Sequence, residues 1–123
     1  MAALTFTPVE QTQLINKYRQ LNQLCADLDD PVDLRAVRML IDRAAKAGHF
    51  ERDKHGLNPI LHDLDTAVTF CDRVSPDGNI VLAILANRLC SVGFLKIEEV
   101  EKEWGADVAK LVRGMLKVAS LYG

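Results

Sequence analysis

An all-α fold, a compact bundle of about six helices, is what this sequence predicts. Three observations carry the prediction. Apolar residues recur at steps of three and four along most of the chain, and turn chemistry separates one recurrence from the next. No strand pattern and no internal repeat appears. The aromatic fraction of 6% and the four prolines are low for an all-β protein.

Thr7-Pro8-Val9-Glu10 opens the first helix as a capping box: a hydroxyl accepts a backbone N–H, proline takes the first helical position, and a carboxylate reaches back. Leu14, Tyr18, Leu21, Cys25 and Leu28 then form one apolar stripe. Asp29-Asp30-Pro31 ends that helix and begins the next, in which Leu34, Val37, Leu40, Ile41 and Ala44 face inward until Gly48. From His49 to Asn58 the chain is charged, carries Gly56 and has no periodicity, so it reads as a loop, a place where helical scaffolds often hold function.

Asn58-Pro59 opens a third helix with Leu61, Leu64, Val68 and Cys71 inward, and Ser75-Pro76-Asp77-Gly78 closes it. The fourth helix, Asn79 to about Cys90, is apolar around most of its circumference, which marks it as central and buried. Gly93 ends it. Lys96 to Trp104 reads as a short amphipathic helix with Ile97, Val100 and Trp104 inward, and Gly105 separates it from a last helix carrying Val108, Leu111, Val112, Met115 and Ala119.

The 123 residues fit a single domain, 1–123, long enough for an unassisted core. A formal charge of −2 leaves no positive field to draw in nucleic acid or an anionic membrane, so neither is an expected partner. The first six residues lack a basic region followed by a long apolar stretch, and the longest aliphatic run, Ile80 to Ala86, is too short to cross a bilayer. Cys25, Cys71 and Cys90 are an odd number at wide spacings, read as reduced cytoplasmic thiols that pack as small apolar groups.

The stretch Ile97-Glu98-Glu99-Val100-Glu101-Lys102-Glu103-Trp104-Gly105, followed by Ala106-Asp107-Val108-Ala109-Lys110-Leu111-Val112-Arg113-Gly114, resembles the acidic helix and the Gly-x-x-Val-Ala-x-Leu-Val-x-Gly helix of the RelA/SpoT family of alarmone enzymes. The resemblance covers roughly residues 36–123, the front part of that family's HD-type hydrolase domain. It implies an all-α domain of HD type. Carried backward, the register puts Ala86-Asn87 where the family has its His-Asp metal dyad, and His62 where it has its other metal-binding histidine. The family's acidic pair falls on Leu89-Cys90 or Cys90-Ser91, without a carboxylate. Its nucleotide-holding Arg-Lys pair falls on Asp53-Lys54, with Arg52 one place away, and its last metal aspartate falls beyond Gly123.

The resemblance therefore implies a catalytically inactive (p)ppGpp-hydrolase domain of a RelA-like synthetase, a cytoplasmic protein of the stringent response. His62, Ala86 and Asn87 are then vestigial metal positions with no metal and no cofactor, no residue is catalytic, and Arg52 and Lys54 are a remnant site for (p)ppGpp or a guanine nucleotide. A synthetase domain of the same protein is the implied partner. Two alternatives stand beside this reading. One is a weakly active metal-dependent hydrolase with a rebuilt site; the other is a free-standing helical interaction module that uses an apolar face of its last helix.

The residues read without the family point the same way. A divalent metal needs three or more converging His, Asp, Glu or Cys ligands, and the chain has His49, His55 and His62 only, two of them in or beside the loop. His62-Asp63 is a literal His-Asp pair, but adjacent helix positions point about 100 degrees apart. Asp65 and Asp72 have no recommending spacing. Cys90-Ser91 has no histidine near it in sequence to act as a base, though His62 could reach it across the fold. Neither common phosphate-loop pattern is present. His49, Arg52, Lys54 and His55 form the one cationic cluster, beside Glu51 and Asp53, and its plain alternative is a solvated loop. The acidic run Glu98 to Glu103 reads as the wet face of a helix.

Overall fold

A computed structural model of the chain describes residues 4–28, 32–73 and 77–122. Among them are six helices and no strand: α1 (Pro8–Ala26), α2 (Arg35–Lys46), α3 (Pro59–Arg73), α4 (Gly78–Ser91), α5 (Ile97–Trp104) and α6 (Ala106–Tyr122). The helical bundle expected from periodicity is present. The expected stop at Asp29-Asp30-Pro31 and the Ser75-Pro76 part of the later turn lie outside the described residues.

Most helix starts follow from short polar side chains. The Thr7 hydroxyl accepts the Glu10 N–H at 3.1 Å and the Glu10 carboxylate accepts the Thr7 N–H at 3.0 Å, which completes the capping box. Asp33 accepts the Arg35 N–H ahead of α2, Asn58 accepts those of Ile60 and Leu61 at the head of α3, and Asp77 accepts that of Asn79 at the head of α4. Helix α4 starts one residue earlier than the sequence suggests, at Gly78. That glycine is packed so closely that a Cβ on it would overlap the Val32 side chain.

The core lies around α4, which packs on α2, α3, α5 and α6. Val81, Leu85, Ala86 and Leu89 from α4 are wholly covered, as are Leu64 and Ala67 from α3, Val100 from α5, and Val108 and Val112 from α6. Each such Val or Leu side chain contributes about 1.5–3 kcal/mol by leaving water. Helix α1 sits farther out, against α3, with Tyr18, Leu21 and Cys25 as its buried stripe. The Arg38 guanidinium of α2 lies 4.4 Å from the centre of the Tyr18 ring, a cation–π contact that ties the two helices. Lys17 pairs with Asp65 near the middles of α1 and α3, and Glu10 and Asn58 line one cavity at their starts, so these two helices run parallel.

Two expectations about packing are corrected. Ala119 was expected inward but is exposed, because the α6 seam on α4 and α5 is made by Val108, Ala109 and Val112 and the end of the helix passes beyond it. The loop from His49 to Asn58 contains a core residue, Phe50, whose side chain is fully buried and pins the loop to the bundle. Within that loop the Asp53 carboxylate accepts the N–H groups of His55 and Leu57 at 2.8 and 2.9 Å, and Gly56 has φ +80, a left-handed turn suited to glycine. No described helix is long and apolar enough to cross a membrane.

Candidate functional site

The loop, the start of α3 and the end of α4 meet around His62. Its side chain is exposed on α3 and lines three cavities, of which one, of about 430 Å³, runs along α3 past Asp65, Thr69 and Arg73 and two smaller ones lie toward the loop. Of these two, one, of about 190 Å³, is also walled by Glu51, Asp53, Leu57 and Arg88. The other, of about 260 Å³, is also walled by Glu10, Gly56, Asn58 and Asp65.

Asp63, next to His62, turns the other way, as adjacent helix positions must. It is 8% exposed and faces α4, where Arg88 takes both of its oxygens: Nε donates to Oδ2 at 2.7 Å and Nη2 to Oδ1 at 3.0 Å. This two-pronged geometry is the strongest form of a carboxylate–guanidinium pair. The bond to Asp63 holds the Arg88 guanidinium charged more firmly than usual. Arg88 is the only charged residue in α4, and the sequence reading passed over it. A single charge in an apolar helix was the signal that it needs a partner.

The positions assigned to the metal dyad carry no such chemistry. Ala86 is wholly buried, a methyl group in the core. Asn87 is partly buried, and its Oδ1 has no hydrogen-bond partner. Among the described residues no three His, Cys, Asp or Glu side chains converge as a metal-binding group. A methyl at Ala86 and a carboxylate at Asp63 already taken by Arg88 do not fit the metal centre that the resemblance implies for the family.

The loop cations are divided. Lys54 and His55 are exposed, and His49 sets its ring edge-on to Phe94 with centroids 5.1 Å apart. Arg52 turns inward to α1: Nη1 donates to Glu10 Oε2 at 2.8 Å and to the Gly56 carbonyl at 3.0 Å, while Nη2 donates to Glu10 Oε1 and, at 2.9 Å, to the Thr5 carbonyl. The Arg52 hydrogen bonds hold the Glu10 carboxyl down at about 2, with Thr7 N–H assisting. Arg52 and Lys54 therefore do not converge as a pair of free donors. Its Glu10 partner lies 42 positions away in sequence, and nothing local announces it.

The thiols are not activated. Burial pushes Cys25 up to about 11 and raises Cys71, while burial and the charges of Glu99 and Glu98 raise Cys90. A nucleophilic thiol requires the opposite shift. Compared with known proteins, the chain matches no family model, no curated protein and no solved structure.

Proposed function

We propose that this chain is a catalytically inactive hydrolase-like domain of the RelA/SpoT type, serving structure or regulation within a cytoplasmic RelA-like (p)ppGpp synthetase. One observation carries the reading. At the place where the resemblance puts metal ligands on both α3 and α4, the two helices are joined by an ion pair from the neighbouring positions, Asp63 and Arg88. A guanidinium bridging the helices supplies cohesion and no site for activating water. Ala86, with its methyl in the core, removes the donor on which hydrolysis would depend.

In this role the domain acts through shape. A helical unit that holds one conformation can bias a synthetase domain packed on it, provided its contacts differ between the two activity states. The end of α6 favours a docking role of this kind: Val118 and Leu121 are 55% and 72% exposed, beyond the seam that α6 makes with α4 and α5. Release of pyrophosphate from (p)ppGpp in manganese-containing buffer tests the reading. Product at or below the rate without protein is expected, and protein-dependent release abolished by a chelator would refute it.

A further inference from the structure

Helix α6 is covered along only part of its length, and the covered part shows what suits it. There α5 lies against it, with Val100, Val108 and Val112 wholly covered and the Glu101 carboxylate 3.6 Å from the Arg113 guanidinium. The covering helix is short, amphipathic and acidic: its eight residues hold four glutamates and one lysine. On α6, Leu111, Gly114, Val118 and Leu121 follow at steps of three and four, so they share one face. Leu111 is half-buried, and Val118 and Leu121 are exposed. Lys110, Arg113 and Lys117 run beside that face at the same spacing, and the only acid of α6 is Asp107. Arg113 has Glu101, whereas Lys110 and Lys117 have no ion pair among the described residues.

Gly114 is a second, independent observation. It sits in the interior of a helix, where glycine is the poorest former after proline. Its φ is not left-handed, and a Cβ on it would meet nothing within 4 Å, so neither backbone conformation nor packing within the chain calls for glycine there. A missing side chain in the middle of an apolar face lets another backbone come close.

We propose that the face of α6 from Leu111 to Leu121 is a docking surface for an amphipathic helix of a partner, its apolar seam bordered by glutamate or aspartate, which crosses α6 at Gly114. Such a helix extends the α5–α6 interface along α6 and gives Lys110 and Lys117 the carboxylates that Glu101 gives Arg113. A second copy of this face is the wrong occupant, because two copies set one row of cations against the other. The inference deepens the docking role read above for the end of α6 and rests on it, but does not use the loss of hydrolysis.

The probe is a fluorescent synthetic peptide of about four helical turns, with leucines in its seam and glutamates along the seam's edges, followed by anisotropy as the whole chain is added. A counterpart peptide carries lysines in place of the glutamates. The glutamate peptide should bind saturably and about tenfold or more tightly than the lysine peptide, and Lys110→Glu with Lys117→Glu should reverse that order. Gly114→Ala should raise the thermal midpoint of the chain, since alanine favours the helix, yet weaken the glutamate peptide about fivefold or more. A glycine with a structural role alone would not move those two readouts in opposite directions. No saturable binding of the glutamate peptide, equal affinity for the two peptides, or an affinity unaltered by Gly114→Ala overturns the proposal. So does a dimer of the chain alone that Gly114→Leu dissolves. Cleavage of (p)ppGpp would sink the hydrolase-like reading and leave these peptide affinities as they are, so the two fail separately.

Discussion

Two flanks of the bundle are closed by different forces. Where α4 meets α6, the seam is aliphatic: Leu85 and Leu89 belong to the same buried cluster as Val108, Ala109 and Val112. Where α3 meets α4 and the loop meets α1, ion pairs are added to the apolar contacts, Asp63 with Arg88 and Glu10 with Arg52. The aliphatic flank sets stability and has no chemistry to offer. The charged flank lies beside His62 and the two smaller cavities that it lines.

The aliphatic flank should give the largest effect. Leu85→Ala removes a wholly covered side chain and is expected to cost about 2–5 kcal/mol in urea unfolding. A loss under about 1 kcal/mol would mean that α4 is not central. Arg88→Met should cost less, about 1–3 kcal/mol, since it strands the Asp63 carboxylate but the arginine is itself one-third exposed. Adding Asp63→Asn should recover part of that loss, and full additivity would show that the pair is not coupled.

Glu10 sharpens the contrast through pH. Its carboxyl is held at about 2 in the fold against about 4.5 when unfolded, so the unfolded chain binds the proton more readily. The stabilisation is therefore complete above about 4.5 and is lost as pH falls toward about 2. After solvent screening it amounts to about 1 kcal/mol. Glu10→Gln should flatten that part of the stability–pH curve, and an unchanged slope would contradict the assignment. Val118→Ser, on the exposed end of α6, should change stability by no more than about 0.5 kcal/mol, measured by thermal melting.

What the sequence made legible divides along the same line. Helix starts were readable because Thr7, Asn58 and Asp77 bond to backbone within three residues, and the aliphatic seams were readable because a helix repeats every 3.6 residues. Both signals are local. The pairings of Arg52 with Glu10 and Arg88 with Asp63 span 42 and 25 positions, set by how the helices pack, and no periodicity encodes them. Phe50 was hidden for a related reason: one aromatic among charges makes no stripe, although it is fully buried. Ala119 erred in the other direction, since the stripe on α6 continues past the helices that could cover it.

The central claim is that the flank around His62 cannot hydrolyse an alarmone. Calorimetric injection of (p)ppGpp into the folded chain, with and without Mn²⁺, tests it most directly because binding and turnover give different traces. The account predicts heat that saturates or is absent, with the baseline restored after each injection in both buffers. A sustained, Mn²⁺-dependent heat of turnover that ends only when the nucleotide is consumed would contradict it.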